Sequence, residues 1–509
     1  MASSDTTIWS LVEAAAEDHP DRVLLSDEHG RSFSAAGVRD AAESVAAGLG
    51  VTSGDVVSWQ LPTVAESVVL MLALARAGAT QNPIIPILRE REVGHIVSTV
   101  GTTKMIVPET WRGFGHGDLA RRLGDVNGYE TIVVDLEGET GKDLRLPQGD
   151  PTSLPGPPTS ADDVRWLYFT SGTTSMPKGV QHSDRTLVGA SLGVTEHMDF
   201  GDGDVYPIAW PISHIGGIGM VVSGLRCGGN LVMFDRFDPA NIAEQMATVG
   251  PTMLGTGVPF FRAYLDGQRR HGAEPLFPDL RLFVAGGAPT PPEIIDELRE
   301  VFGLDLVLNA YGLTEFPIAA SPRPTDPSDK LRRTVGQLSP GVEVRFVDDE
   351  IRLKGPQCFV GYAGDTDAGS SGGGPFDEDG WFRTGDLGHL DEDGYLYVTG
   401  RLKDIIIRNA ENISAGEVEE TLLRHAEVVD VTVLGMPNAR TGEHVCAVVV
   451  LAAGATAGEA VLSAHCAAQD MARQKIPEQY VFVDAIERNP MGKVVKDDLR
   501  RRLVAGDHD

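Results

Sequence analysis

Tyr168-Phe169-Thr170-Ser171-Gly172-Thr173-Thr174-Ser175-Met176-Pro177-Lys178-Gly179-Val180 follows the apolar run that begins at Trp166. Glycine lets a backbone approach an anion closely, and hydroxyls and amide N–H groups donate to its oxygens. The spacing is not that of the common P-loop, which needs Gly, four residues, then Gly-Lys-Ser/Thr. Here Pro177 stands five residues after Gly172, and Lys178 is followed by Gly179. The stretch is therefore either a polar surface turn or a phosphate loop of another kind. Its surroundings decide between them.

Working outward, short β-rich runs alternate with helical patterns. The pattern predicts strands at 55–60, 104–107, 131–134, 165–169, 231–234, 280–285 and 306–308. Helices are predicted at 65–77, 90–100, 240–249, 259–271 and 292–302. Pro291-Pro292 suits the start of the last one, because the first turn needs no donor there. Such alternation argues for parallel sheets covered by helices. Segments 146–163 and 364–375, rich in Pro, Gly, Ser or Asp, read as loops, and no fixed-period repeat is present. Beyond about residue 340 the texture changes to a hairpin at 343–354, a strand at 395–399 and a compact α+β unit. The expected class is α/β: a large N-terminal domain of helix-covered sheets, residues 1–402, and a small mobile α+β domain, residues 403–509.

A chain of 509 residues is too long for one core, so two domains are expected on size alone. The net charge of −30 argues against nucleic acid and anionic headgroups as partners. Cys227, Cys358, Cys446 and Cys466 are scattered, which fits reduced thiols rather than a disulfide frame or zinc site. The first residues lack the basic-then-apolar pattern of a secretory leader. The most apolar run, 68–75, is too short to span a bilayer. A cytoplasmic location without an integral membrane segment is expected, and a homodimer is left open.

Four further stretches bear on the opening loop. Gly286-Gly287-Ala288-Pro289 follows a predicted strand, where small residues let a flat group lie on the backbone. Asn309-Ala310-Tyr311-Gly312-Leu313-Thr314-Glu315 ends another strand, and ligands of open α/β sheets sit at such ends. Tyr311 can stack on a base, Asn309 can bond its edge, and Glu315 can hold Mg²⁺, which favours one or two carboxylates plus phosphate and water. Asp386, in Arg383-Thr384-Gly385-Asp386, can accept from vicinal hydroxyls of a ribose. Lys493, in Asn489-Pro490-Met491-Gly492-Lys493, stands near the end of the chain. Taken singly, each of these stretches is more simply a turn.

Together and in this order, the five stretches resemble the adenylate-forming superfamily of acyl-CoA synthetases, amino-acid adenylation domains and beetle luciferases. The resemblance runs from about residue 9 to residue 499. It is closest to fatty-acyl-CoA and cyclic-carboxylate-CoA ligases, partly through Asn82-Pro83-Ile84-Ile85-Pro86 and Arg89-Glu90-Arg91-Glu92. It implies ATP, Mg²⁺ and CoA as cofactors and a role in fatty-acid or lipid metabolism. It assigns the β- and γ-phosphates to a mobile loop containing Thr170, Ser171, Gly172, Thr173, Thr174 and Lys178. Gly286, Gly287, Ala288, Pro289, Asn309, Ala310, Tyr311 and Gly312 form the adenine site. Thr314 meets the α-phosphate, Glu315 the metal, and Asp386 and Arg401 the ribose. Lys493 bridges carboxylate and α-phosphate, His214 lies between acyl pocket and pantetheine tunnel, and Lys403 is the hinge.

The implied function is ATP-dependent activation of a hydrophobic aliphatic or alicyclic carboxylic acid to acyl-AMP, followed by transfer to CoA. The expected pocket wall is His214, Gly216, Gly217, Met220, Val258, Gly286 and Gly312. Three positions depart from the family pattern. Ser175 stands where Gly is usual, Asn409-Ala410 where Gly-Gly is usual, and Ser414-Ala415 where Tyr-Pro is usual. The second departure leaves open an acyl-AMP ligase that loads a carrier protein. An amino-acid substrate is disfavoured, since residues 212–218 offer no carboxylate to an ammonium group.

Overall fold

A computed structural model of the chain describes residues 6–136, 144–170, 176–287, 290–304, 306–364, 374–409, 411–438, 440–469, 471–488 and 494–505. The described residues fall into two compact units, one spanning 6–170, 176–343 and 353–380, the other 344–352 and those from 381 onward.

The first unit is built on a seven-stranded sheet. Its order is Gly361–Tyr362, Lys178–Ser183, Val164–Thr170, Thr80–Pro83, Val56–Trp59, Lys104–Pro108 and Glu130–Val134. The last five strands run parallel to one another, and the first two are antiparallel to their neighbours. Parallel strands are covered on both faces, so they read as near-continuous apolar runs rather than alternating ones. Trp59 and Trp166 are accordingly buried completely. The helix Ala65–Ala77 is buried from Ala65 to Arg76, which is why its sequence is apolar all round. Three helices, Ala65–Ala77, Glu90–Val100 and Pro292–Phe302, have the predicted bounds, each followed by a glycine in the left-handed region.

Two smaller sheets complete this unit. One orders Ser32–Ser34, Val23–Asp27, Asn230–Met233 and Val205–Ile208. The other is parallel, with Met253–Leu254, Leu282–Gly286 and Val307–Ala310 side by side. Its register sets Ala285 beside Asn309 and Gly286 beside Ala310. Two of the predicted motifs thus emerge together from neighbouring strand ends.

The second unit holds the sheet Glu343–Val347, Glu350–Lys354, Phe382–Leu390, Leu396–Arg401, in that order. The predicted hairpin turns at Asp348 and Asp349, with φ of 51° and 63°. Both are left-handed, as a two-residue hairpin that matches strand twist requires. A second sheet orders Glu411–Ser414, Ile405–Arg408, Gly442–Leu451 and Val428–Asn438, with Gln479–Phe482 parallel to Gly442–Leu451. Helices Ala415–Leu423 and Glu459–Ala468 contribute to its core through Val418, Leu422 and Leu462.

Among the described residues no helix is long and apolar enough to cross a membrane. All four cysteines are free thiols. Burial pushes each thiol up, to about 12 for Cys358 and Cys446.

Candidate active site

The described ends of the opening stretch are strands. Thr170 and Lys178 are paired across the antiparallel ladder that joins Val164–Thr170 to Lys178–Ser183. Ser171, Gly172, Thr173, Thr174 and Ser175 lie outside the described residues, as do Ala288, Pro289, Ala410 and Lys493. On the far side of the loop, His95 Nε2 lies 3.1 Å from the Pro177 carbonyl. Lys178, expected in the loop, is the first residue of a strand. Its pairing partner is set by the fold rather than by its immediate neighbours.

At the ends of the small parallel sheet, Gly287 has φ of 78°, a conformation open to glycine and costly for most other residues. Tyr311 exchanges backbone hydrogen bonds with Ala320, of 2.9 and 3.2 Å. Leu313 and Phe316 likewise bond each other through N–H and C=O, at 3.1 Å both ways. Thr314 and Glu315 therefore occupy the tip of a tight turn. Gly312 permits the turn to fold back, since a Cβ there would stand 2.5 Å from the Ile318 nitrogen.

That tip is braced from three directions. His182 Nε2 lies 2.8 Å from the Thr314 carbonyl oxygen, which can only accept, so this nitrogen carries the proton. The other ring nitrogen, Nδ1, lies 2.9 Å from Thr186 Oγ1. Burial drops the His182 pKa to about 4, so the ring is neutral at neutral pH. The Phe359 amide donates to the Glu315 carbonyl at 2.9 Å. The Tyr362 hydroxyl donates to Glu315 Oε1 at 2.8 Å. Lys178 Nζ stands 5.0 Å above the centre of the Tyr362 ring. The lysine expected in the phosphate loop and the carboxylate expected at the metal are thus both placed against one tyrosine.

His214 caps the helix Ile215–Cys227, and its Nδ1 accepts from the Gly216 amide at 3.2 Å. In the neutral ring the proton is therefore on Nε2. His214 and Thr314 line the same small cavity. Of the expected pocket wall only His214 does so. The rest of that lining comes from the 83–88 loop, Ile96, Tyr168, Phe169, Ser213 and Ile215.

In the second unit, Asp386 and Arg401 are cross-strand neighbours on Phe382–Leu390 and Leu396–Arg401. Arg401 Nε donates to Asp386 Oδ1 at 2.9 Å; the Asp386 side chain is 3% exposed and that of Arg401 41%. Thr384 Oγ1 receives the Asp386 amide at 3.0 Å and donates to the Ile351 carbonyl at 2.6 Å. Lys403 sits in the short 3₁₀ turn Leu402–Asp404, and its pKa is lowered, first by burial and then by Arg401. Asn409, where the family pattern has glycine, has φ of 52°.

The residues fit the groups that the motifs imply. A lysine and paired strand ends frame the phosphate loop, glycines open the adenine face, and one held carboxylate suits a cation that keeps water and phosphate ligands. Sequence reading missed His182 and Tyr362 as parts of the site. His182 had a local signal, because it shares the inward face of its strand with buried Val180. Tyr362 had none, since its partner is 47 positions away.

This is the architecture of an adenylate-forming enzyme. Residues 12–363 match the AMP-binding enzyme family and residues 417–493 its C-terminal domain. The chain belongs to that family. It is 31% identical to the medium-chain fatty-acid–CoA ligase of Escherichia coli K12, over 98% of this chain and 91% of the relative. It is also 31% identical to the 3-[(3aS,4S,7aS)-7a-methyl-1,5-dioxo-octahydro-1H-inden-4-yl]propanoyl:CoA ligase of Rhodococcus jostii RHA1, over 98% and 99%. Among solved structures, ATP-bound MatB from Rhodopseudomonas palustris superposes with a TM-score of 0.85 at 28% identity, covering 99% of this chain and all of that one. Within the family, then, the chain is an AMP-forming carboxylate–CoA ligase, a class that uses ATP, Mg²⁺ and CoA.

Proposed function

We propose that this enzyme activates a hydrophobic aliphatic or alicyclic carboxylic acid and transfers its acyl group to CoA. The observation that carries the reading is the Thr314–Glu315 tip, held at the carboxyl ends of parallel strands by His182, Phe359 and Tyr362. The mostly apolar lining beside His214 supports a hydrophobic acid, as do the acids named for the two relatives. We place the enzyme in the cytoplasm.

A carboxylate is a poor acyl donor because its leaving group would be oxide. Attack of the carboxylate oxygen on the α-phosphorus forms an O–P bond, and the bond to pyrophosphate breaks. Charge gathers on the phosphates, and positive groups fixed there beforehand lower the barrier. Lys178 and Lys493 are the side chains we assign to that task, Lys178 on the outer phosphates and Lys493 between carboxylate and α-phosphate. Mg²⁺, when bound at Glu315, supplies further neutralisation. Thr314 contacts the α-phosphate, and the strand-end residues Gly286, Asn309 and Tyr311 hold the adenine. Asp386 and Arg401 hold the ribose. In the second half-reaction the CoA thiol attacks the acyl carbonyl and AMP leaves. His214, whose Nδ1 is taken by the Gly216 amide, is the residue we assign to the meeting of acyl group and thiol.

We further assign the pivot between half-reactions to Lys403, with 1–402 and 403–509 as the bodies it separates. The departure at Asn409-Ala410 keeps a second reading alive, in which the acyl group passes to a carrier protein. Pyrophosphate release over a panel of carboxylic acids, with and without CoA, tests both. Release with aliphatic or alicyclic acids and thioester formation on CoA is expected. Acyl-AMP that accumulates in the presence of CoA would favour the carrier-protein reading, and release with amino acids alone would overturn the substrate class.

A further inference from the structure

We propose that the acid carries an oxo group in its acyl part, and that the hydroxyls of Tyr168 and Ser213 recognise it; this rests on the ligase reading above.

The small cavity beside His214 and Thr314 has a volume of about 20 Å³, enough for one water-sized group. Its walls are mostly aliphatic and aromatic. Four of its lining residues bring polar side chains: Tyr168, Ser213, His214 and Thr314. Two of them have employment already, since His214 Nδ1 takes the Gly216 amide and the Thr314 side chain is the one we assign to the α-phosphate. The other two hydroxyls do not. Tyr168 and Ser213 are each 2% exposed, and among the described residues neither Tyr168 Oη nor Ser213 Oγ has a hydrogen-bond partner. Buried polar groups are nearly always satisfied, so two orphans on one small cavity call for a common partner.

The chemistry of that partner is constrained. Both hydroxyls can donate, and burial pushes the Tyr168 phenol well up, so it keeps its proton. A carbonyl oxygen has two lone pairs and no proton, which matches two donors. A hydroxyl would leave its own proton facing an aliphatic wall. A second carboxylate would enter without a counter-charge, because no Lys or Arg lines the cavity. The cavity is also fixed in shape. Gln60 Nε2 donates to the carbonyls of Ile85 and Leu88 at 3.0 and 3.1 Å, and Gln60 Oε1 accepts from His116 Nδ1 at 3.1 Å. The loop that forms one wall is thereby tied down. A rigid site with unpaired donors rejects a substrate that lacks the acceptor, because binding it leaves the donors unsatisfied.

The test uses pairs of acids matched in carbon skeleton, one with and one without an oxo group. Pyrophosphate release without CoA is measured for wild type, Tyr168→Phe, Ser213→Ala and the double variant. For at least one pair, wild type should favour the oxo acid in kcat/KM by about a hundredfold, each single variant should cut that ratio roughly tenfold, and the double variant should bring it near one. The ratio reads specificity even if a variant folds less well, and a thermal melt of each variant reads folding separately. Equal wild-type rates for every pair overturn the proposal. So does a ratio unchanged in the double variant, including the case where only the KM for CoA moves. A structure with acid bound in which one water joins both hydroxyls overturns it as well. Absence of pyrophosphate release with every acid would sink the ligase reading itself, and this inference with it.

Discussion

The Thr314–Glu315 turn and the Asp386–Arg401 pair solve one problem in opposite ways. The first is held by groups outside itself: a histidine from one strand, an amide and a tyrosine from the 359–362 segment. The second is held mostly by itself, one site residue gripping the other across a ladder, with the arginine partly in solvent. A site group braced by neighbours is pre-organised before substrate arrives. A site group paired to its partner must exchange that bond for substrate bonds. The large unit should therefore set kcat and the small unit should set nucleotide affinity, with Lys493 the exception.

The largest expected effect tests that exception. Lys493→Ala should abolish adenylation from ATP yet leave near-normal thioester formation from supplied acyl-AMP and CoA. Lys403→Pro should do the reverse after one turnover, since proline fixes φ near −65° and blocks a pivot. Each half-reaction assayed alone decides it, and equal losses in both steps for either variant would end the division of labour. Next comes Glu315, the carboxylate proposed for the metal. Glu315→Gln keeps the shape, and should cut pyrophosphate release about a hundredfold, on the order of 3 kcal/mol of barrier. Wild-type release would remove Glu315 from the chemistry.

The brace itself should cost less. His182→Asn should lower kcat for adenylation roughly tenfold with the KM for the acid little moved, whereas general loosening would raise both KM values. The same residue has a signature in stability. Its folded pKa, about 4, lies below the ordinary value of about 6.5. The unfolded chain therefore binds the proton more readily, and stability present above pH 6.5 is lost as pH falls toward 4. Denaturant titrations across that window should show a shallower decline in His182→Asn. His116, also lowered to about 4 by burial, supplies a parallel slope that the variant retains.

The smallest effect is expected at Asn409. Its φ of 52° is the conformation in which asparagine is the best tolerated residue after glycine. Asn409→Gly should change stability by less than about 0.5 kcal/mol, while Asn409→Val should cost about 1–2 kcal/mol. If Asn409→Gly instead speeds thioester formation, the departure from the family pattern bears on the acceptor rather than on the turn.

The same contrast explains what could be read from sequence. Helices 65–77, 90–100 and 292–302 were legible because apolar spacing and a closing glycine are local signals. The Asp348-Asp349 turn was legible for the same reason. Lys178 looked like loop because the strand it belongs to is defined by pairing with Thr170 and with the 361–362 segment. Tyr362 and Gln60 act through partners far along the chain, where composition carries no trace of them. Motif residues announce themselves; the residues that hold them in place do so only when the chain is folded.

The four thiols have a practical corollary. A maleimide or iodoacetamide reacts with thiolate, and burial raises the pKa of all four cysteines. The native thiols should thus react more slowly with such dyes than an exposed cysteine does. A single cysteine introduced at Val126, 82% exposed, or at Val504, 61% exposed, would take up a fluorophore faster than they do. A dye can therefore be attached at a chosen exposed position without removing any of the four native cysteines.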